Sequence, residues 1–459
     1  MNTLFKTVAA ISTPHGTGGI AVVRISGDEA LEVASRVFFP VSGMSITEAE
    51  GSRAYYGKIK YNGEVIDDGI ATVFLSPRSF TGEDTVEISC HGGVLLTARV
   101  LEAVLSAGAL PAPAGEFTRR AFLSGKLTLS EAEAVGERLY AKTDAQLRLS
   151  SPDAAGKLSA EVSEISARVM SLLSSLSAVI DYPDEELTVV GRDEAVSECE
   201  GIRGGISRLS ASYKTGKALS CGVKTAIIGR PNAGKSTLFN LFTGEASAIV
   251  TDIAGTTRDV LTAEVTAHDV LLTISDTAGI RETDDLIESM GVERARREAG
   301  AAELILWVID SASDEPLECE IPQTDAVTLA VINKTDAAGR ETLEKIKNAL
   351  AERSVDYVEA SLLSGGGFEK IKDFIREKFT DGTLSVGRDA IISSARQASA
   401  ANEALEYINS ALTALGEGLP ADIIVTELEG AYGALCQIDG REVTGDVVDE
   451  IFSKFCVGK

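Results

Sequence analysis

The stretch Thr225-Ala-Ile-Ile-Gly-Arg-Pro-Asn-Ala-Gly-Lys-Ser-Thr-Leu-Phe-Asn-Leu-Phe242 decides the fold. A short apolar run leads into a loop with glycines at 229 and 234, and an apolar helical pattern follows Lys235 and Ser236. Gly229 to Ser236 fits G-x-x-x-x-G-K-[ST], with strand, loop and helix in the order that spacing requires. In such a loop, backbone N–H groups converge on phosphate oxygens and the helix N-terminus adds its positive end. Lys235 is positioned to reach the β- and γ-phosphates and Ser236 to offer a hydroxyl to Mg²⁺. The plain alternative, a chance glycine-rich turn, does not account for the flanking strand and helix.

Two further segments lie downstream. Asp276-Thr-Ala-Gly follows the run Val270-Leu-Leu-Thr-Ile-Ser, which sets a carboxylate near the Mg²⁺ shell and the Gly279 N–H near a γ-phosphate. Asn333-Lys-Thr-Asp follows Thr328-Leu-Ala-Val-Ile, and its carboxylate can accept the two donors of the guanine N1 and N2 edge, a pair that adenine lacks. Alone, Asn-Lys-x-Asp is a common turn; its force comes from its place after the other two motifs. Apolar strands, each followed by a loop and a helix, predict a doubly wound parallel sheet over residues 217–380.

The flanks have other periods. Gly19-Ile-Ala-Val-Val-Arg-Ile and Gly69-Ile-Ala-Thr-Val-Phe-Leu alternate as strands and Val94 to Leu105 reads as a helix, so residues 1–120 form a mixed α/β domain. Val162, Ile165, Val169, Leu172, Leu176 and Ile180 recur at three and four, the stripe of a long packed helix in a segment 121–216. Helical spacing resumes after the inserted sheet with Ala398, Ala401, Leu405, Ile408, Leu412 and Leu415. Val447, Val448, Ile451, Phe452 and Phe455 mark a last amphipathic helix, so 381–459 is a second helical segment. A stripe on the first segment needs cover, so the two are expected to pack as one interrupted domain. The fold class is therefore multidomain: α/β, all-α, and an inserted α/β body.

Composition bounds the function. With 459 residues, 44% hydrophobic, 24% charged, and 11 prolines beside 43 glycines, the chain is globular rather than disordered or fibrous. Its longest uncharged stretch, Thr7 to Val23, is broken by Ser-Thr-Pro-His-Gly-Thr-Gly-Gly, so no membrane span is expected. The N-terminus shows no export leader, and a cytoplasmic protein is expected. Cys90, Cys199, Cys221, Cys319, Cys436 and Cys456 are dispersed without Cys-x-x-Cys, and three histidines cannot complete a zinc spacing. Against 69 acidic residues stand 43 basic ones, net −26, a field that repels a polyanion. A nucleic acid is therefore expected to touch either a partner protein or residues 1–125, the less acidic part, with 10 basic and 13 acidic side chains.

The three motifs resemble Ras-like GTPases of the translation-factor class, and Gly255-Thr-Thr-Arg-Asp narrows the likeness to the TrmE–Era–EngA–septin branch. The flanks extend it. Thr13-Pro-His-Gly-Thr-Gly-Gly-Ile-Ala-Val-Val-Arg-Ile-Ser-Gly, Ser79-Phe-Thr-Gly-Glu-Asp-Thr-Val-Glu, His91-Gly-Gly, Gly115-Glu-Phe-Thr-Arg-Arg-Ala-Phe-Leu-Ser-Gly-Lys-Leu and Phe455-Cys-Val-Gly-Lys resemble the MnmE (TrmE) family of tRNA uridine-modification GTPases over the whole chain. Departures are Pro113-Ala-Gly-Glu-Phe, where Arg-Pro-Gly-Glu-Phe is usual, and Val457, where isoleucine is commoner.

The resemblance implies a guanine-nucleotide site of Asn232, Ala233, Gly234, Lys235, Ser236 and Thr237, then Thr251, Asp252, Ile253, Ala254, Gly255, Thr256 and Thr257. It continues with Asp276, Thr277, Ala278 and Gly279, with Asn333, Lys334, Thr335 and Asp336, and with Ala360, Ser361 and Leu362, a poor match to the family's Ser-Ala-Lys. Ser236 and Thr257 would hold Mg²⁺; Asn232, Thr251, Ile253 and Thr256 would enclose K⁺, the loop residues acting mainly through backbone oxygens. Ile280 stands where a Ras-type enzyme has its water-orienting glutamine. The resemblance gives that role to Glu288, whose bland reading is a solvated carboxylate at a helix start. Arg258 is either a switch contact or a surface ion-pair partner.

It further implies a tetrahydrofolate-binding, dimerising N-terminal domain, with folate contacts at Arg24, Glu87, Lys126 and Lys459; for each alone, an ordinary ion pair is the simpler reading. Cys456 is either a chemical participant or a small packed residue. Two functions follow. In one, the homodimer and the flavoprotein MnmG (GidA), which carries FAD and NADH, use 5,10-methylene- or 5-formyl-tetrahydrofolate to build an aminomethyl or carboxymethylaminomethyl group on C5 of the tRNA wobble uridine. In the other, the chain is a GTP-switched assembly factor without folate chemistry.

Overall fold

The computed structural model describes residues 6–181, 191–244, 263–274, 299–313, 324–380, 382 and 384–459. It divides into two compact units, residues 1–136 with 433–459, and residues 137–432.

The first unit holds β1 (Val8–Ile11), β2 (Ile20–Ser26), α1 (Ala30–Val37), β3 (Phe38–Pro40), β4 (Arg53–Tyr61), β5 (Glu64–Phe74), β6 (Thr85–His91), α2 (Val94–Ser106), β7 (Leu110–Pro111) and α3 (Glu116–Leu123). α4 (Leu129–Tyr140) crosses its boundary. The strands form one seven-stranded sheet in the order β3-β4-β5-β6-β2-β1-β7. Val23, Ile25, Ile59, Ala71, Val73, Val86 and Ile88 point inward to α1 and α2. The period of two leaves Arg24, Glu87, Tyr56 and Ile70 for the other face.

The end of the chain is stitched into this unit. In α13 (Gly445–Ser453), Phe452 is buried and lies 6.3 Å from Phe122, centroid to centroid. The helix stops at Ser453, so Phe455 lies beyond it rather than on its last turn, yet its ring still packs 5.3 Å from Phe452. Gly115 N–H donates to the Cys456 carbonyl, Ala114 bridges Val457, and Phe117 N–H donates to the Lys459 carbonyl at 3.2 Å. Gly458 has φ +95°, and a Cβ there would meet the Ile11 carbonyl oxygen at 2.1 Å.

The second unit begins with helices: α5 (Asp144–Leu149), α6 (Pro152–Asp181) and α7 (Arg192–Ser220). Its sheet comprises β8 (Val223–Ile228), β9 (Ala263–Ala267), β10 (Val270–Ile274), β11 (Leu304–Asp310), β12 (Val327–Asn333) and β13 (Asp356–Glu359), ordered β13-β12-β11-β8-β10-β9. Among the described strands of this sheet, only the β9–β10 pair is antiparallel. Leu304 to Val308 are all buried, as a central strand covered on both faces demands. α8 (Lys235–Thr243) and α10 (Phe368–Phe379) cover one face through Phe239, Phe242, Ile371 and Ile375; α9 (Arg340–Glu352) covers the other through Ile346 and Leu350.

α11 (Ala395–Glu417) starts at a capping box of Ser394 and Gln397 and ends at Gly418 with φ +70°. α12 (Ala421–Asp439) follows and crosses the second boundary. α7 runs along α11: Ser210 Oγ donates to Asn402 Oδ1 at 2.6 Å, and the backbone at Gly216 passes so close to Ile392 that a Cβ would lie 2.0 Å from its oxygen. Sequence periodicity does not mark α7, because its buried stripe mixes Ile202, Ile206 and Leu209 with Gly205, Ser212, Thr215 and Gly216. Small residues give close packing with little hydropathy contrast. Among the described residues, no helix is long and apolar enough to cross a membrane.

Candidate functional site

The phosphate loop joins β8 to α8. Gly229 has φ +147° and passes Val308, whose carbonyl oxygen would lie 2.3 Å from an added Cβ. Asn232 at φ +61° and Gly234 at φ +110° put successive N–H groups in the mixed right- and left-handed sequence that forms an anion-binding concavity. The Lys235 ammonium donates to the Gly229 and Arg230 carbonyl oxygens, both at 2.8 Å, so its head lies folded over the loop. Ser236 and Thr237 form the first turn of α8, whose positive end faces the same loop.

The residues expected on the base side assemble around Asn333. Its side chain is buried; Nδ2 donates to the Ala233 carbonyl at 2.8 Å, and Oδ1 accepts the Leu362 N–H at 3.0 Å. Ser311 donates both its hydroxyl, at 2.6 Å, and its N–H, at 3.0 Å, to the Asn333 carbonyl. Lys334, at φ +61°, extends to Asp310 Oδ2 at 2.6 Å. The Thr335 hydroxyl donates to the Ala360 carbonyl at 3.0 Å, and the Ser361 hydroxyl donates to Asp336 Oδ1 at 2.6 Å. That hydrogen bond holds the Asp336 carboxyl below the usual aspartate range. The structure thus brings Ala233, Asn333, Lys334, Thr335, Asp336, Ala360, Ser361 and Leu362 together.

Two supports escaped the sequence reading. Asp310 anchors Lys334 from the end of the neighbouring strand, a contact visible only once β11 and β12 pair. The run Gly365-Gly-Gly turns the 360s loop back on itself: Ser361 and Gly366 exchange backbone hydrogen bonds, and Gly367 at φ +87° passes within 2.5 Å of the Glu359 oxygen from its would-be Cβ. The glycine run was the available signal. Thr251, Asp252, Ile253, Ala254, Gly255, Thr256, Thr257 and Arg258, the motif Asp276-Thr277-Ala278-Gly279, and Glu288 lie outside the described residues.

A second polar site is in the first unit. Arg24 and Glu87 face each other across β2 and β6, with Nε and Nη2 both 2.8 Å from Glu87 Oε1. Phe117 and Phe80 lie against the guanidinium, at 5.3 and 5.9 Å from ring centroid to Cζ. Phe117 is the residue whose N–H holds the Lys459 carbonyl, so the end of the chain adjoins the Arg24 platform. Phe80 belongs to the loop that also supplies Pro77, whose carbonyl accepts the Lys126 ammonium at 3.0 Å. Beneath that loop, buried Arg120 pairs with Glu116 at 3.0 Å and Glu83 at 2.7 Å. The arrangement presents carboxylate, guanidinium, ammonium and the exposed Phe80 ring, with buried Phe117 backing the guanidinium. It suits a planar ring with amide-like edges and an anionic tail.

On the same sheet, the His91 ring meets Asp67 Oδ1 at 2.8 Å while the His91 N–H donates to Asp67 Oδ2 at 2.9 Å. Asp67 holds the exposed imidazole above its ordinary range. Cys90, Cys199 and Cys436 are buried, and burial pushes the Cys199 thiol up to about 11. Cys221 and Cys456 are exposed; Cys319 lies outside the described residues.

Residues 129–456 match the model of the MnmE helical domain, and residues 7–126 match the GTP-binding protein TrmE N-terminus. The chain is 38% identical to a tRNA modification GTPase MnmE of Listeria welshimeri, across 99% of this chain and 100% of the relative. Proteins of the same description from Clostridioides difficile, 38% identical over 99% of both chains, and Geobacillus kaustophilus, 40% identical over the full length of both, are similar to the same extent.

Proposed function

The chain belongs to the MnmE family, and from that premise we propose that it is a potassium-activated GTPase acting in the modification of tRNA wobble uridine. The observation that carries the nucleotide half of this reading is the link through Asn333, which joins the phosphate loop to the base-side loop. Guanine would be recognised by Asp336, kept ionised by Ser361, with Lys334 laid beside it. Lys235 would exchange the Gly229 and Arg230 carbonyls for β- and γ-phosphate oxygens, a move that leaves the loop's N–H groups in place.

The donor set fits a hydrated Mg²⁺, with the Ser236 hydroxyl at the helix start and Thr257 completing the protein's share. When bound, Mg²⁺ neutralises charge on the phosphates. K⁺ would be held by Asn232 with Thr251, Ile253 and Thr256; Glu288 orients the attacking water and Arg258 is a switch contact. Residues 217–380 form the G domain, 121–216 and 381–459 the helical domain, and 1–120 the folate-binding and dimerising domain.

For the folate half, Arg24 and Glu87 would open their mutual ion pair to take the pterin edge, while Lys126 and Lys459 face the glutamate tail. The homodimer works in the cytoplasm with MnmG, which supplies FAD and NADH, and adds an aminomethyl or carboxymethylaminomethyl group to C5 of uridine 34. Cys456, exposed beside the Arg24 platform's supporting helix, is kept as a candidate participant.

The test is reconstitution on undermodified tRNA, with MnmG, GTP, potassium and 5,10-methylene-tetrahydrofolate omitted in turn and the nucleosides read by mass spectrometry. Each omission is expected to abolish or sharply reduce the product. GTP hydrolysis without any folate binding or uridine product would favour the assembly-factor reading.

A further inference from the structure

The hairpin β9–β10 occupies a special place in the chain. Its first strand follows Thr257 in sequence and its second runs toward Asp276, so it joins the two segments that the GTPase reading makes responsive to the γ-phosphate. Among the described strands, β9 is the edge of the sheet and pairs with β10.

Residues of the helical segment and its connecting loop grip this hairpin and the base of the sheet with ion pairs of one polarity. Lys142, between α4 and α5, pairs with Glu264 on β9. Arg148 on α5 pairs with Asp269 at the hairpin tip, at 3.3 Å. Lys217 on α7 pairs with Glu303, which also accepts the Lys224 N–H at 3.3 Å and returns its own N–H to the Lys224 carbonyl at 2.8 Å. In each pair the cation lies on the helical side and the anion on the sheet side. α5 is tied to α7 through Gln146 Nε2 and the Ser220 carbonyl, at 2.9 Å. α7 then passes through Cys221 and Gly222 into β8, which leads to Gly229.

Between these pairs lies an apolar contact in which Ala145, Leu149, Ala218 and Leu219 share one core with Val265, Ala267, Val270 and Leu272. Apolar contact has no intrinsic direction and sets attachment, whereas charge pairs set register. Partly exposed ion pairs add little stability, so three of the same polarity are better explained by alignment than by strength. Glu303 would be raised by its burial, but the Lys217 ammonium and the Lys224 N–H hold it below the usual glutamate range.

We infer that Lys142, Arg148 and Lys217 are positioning residues that fix the helices to the hairpin and sheet, and carry the nucleotide state of the G domain into α5 and α7. This rests on the GTPase reading above and adds to it the route by which hydrolysis is coupled to the rest of the chain.

The experiment uses the full-length homodimer and the variants Lys142→Glu, Glu264→Lys and the two combined. Amide hydrogen exchange of residues 144–149 and 212–220 is followed with and without a non-hydrolysable GTP analogue, Mg²⁺ and K⁺. In the unaltered protein the analogue is expected to change exchange by about threefold or more in both segments. Either single reversal abolishes that response while GTP hydrolysis stays within about twofold, and the double reversal restores it.

An unaltered response in the single variants, or no response in the parent protein that binds the analogue, overturns the inference. So does a loss of melting temperature and hydrolysis that the double reversal leaves unrepaired. If the parent shows the response yet makes no modified uridine with MnmG, the tRNA reading fails and the coupling stands; failure to bind the analogue at all overturns both.

Discussion

Asn333 donates a hydrogen bond from Nδ2 to the Ala233 carbonyl at 2.8 Å, across a hundred residues of sequence, and thereby sets the distance between phosphate loop and base loop. Its Oδ1 is used as well, by the Leu362 N–H. Asn333→Ala leaves both groups without their partner, a loss of about 1–3 kcal/mol for each buried group left unsatisfied. GTP affinity is expected to fall by about tenfold to a hundredfold. Fluorescent-nucleotide titration with circular dichroism as the control checks it; a change under twofold would remove Asn333 from the account.

Asp336 and Ser361 form the adjoining pair. Because the Ser361 hydroxyl holds the carboxyl below its ordinary value, guanine binding should persist through the pH range in which an ordinary aspartate is protonated, and fail only when this carboxylate is itself protonated. Ser361→Ala moves that loss of binding to higher pH. Asp336→Asn replaces an acceptor by an amide that can donate to the 2-oxo group of xanthine, so selectivity should pass from GTP to xanthosine triphosphate. Competitive titration at several pH values reads both effects.

Asn232 sits in the left-handed region of the phosphate loop and is the one candidate potassium ligand among the described residues. Hydrolysis in potassium should exceed that in sodium by about tenfold or more, and Asn232→Ala should erase most of the difference. Steady-state rates at constant ionic strength decide the matter. Equal rates in both salts would remove K⁺ from the reading.

In the first unit, Arg24→Ala removes a guanidinium that pairs with Glu87 and lies against Phe80 and Phe117. Binding of 5-formyl-tetrahydrofolate should weaken by at least about tenfold, since one charged hydrogen-bonding partner contributes roughly 1.5–3 kcal/mol. GTP hydrolysis by the same variant should be unchanged. Isothermal titration and a phosphate-release assay separate the two.

His91 and Asp67 give a pH dependence of definite sign. Asp67 raises the imidazole above its ordinary value. Its burial would raise the Asp67 carboxyl, but the His91 backbone N–H and ring hold it below the aspartate range. A raised histidine stabilises the fold fully below its unfolded value, near 6.5, and loses that contribution as pH rises through its folded value. Nuclear magnetic resonance titration should place His91 above 6.5, and Asp67→Asn should bring it down.

The sequence told most where local chemistry decides the structure. The phosphate loop is legible because its glycines, lysine and flanking strand and helix lie within one short span. The strands β8, β10 and β12 are legible as short apolar runs because most of their residues are buried. Asp310 beneath Lys334 was not, because it depends on strand pairing. Nor was α7, whose glycines and serines fill its packed face without a hydropathy signal. Arg24 and Lys459 were drawn together only by resemblance; what joins them is Phe117, through its ring on one side and its N–H on the other.

The segment 433–459 belongs to the same compact unit as residues 1–136, and Gly458 lies against Ile11. Ribosomes make proteins from the amino end, so the first domain to leave the exit tunnel is among the last to be finished. Residues 137–432 can mature while the nascent head still waits for its closing strip. Translation halted just short of that strip would release a polypeptide with a finished nucleotide-binding body and an open apolar seam around Phe122, Leu129 and Ala132, a client for chaperones.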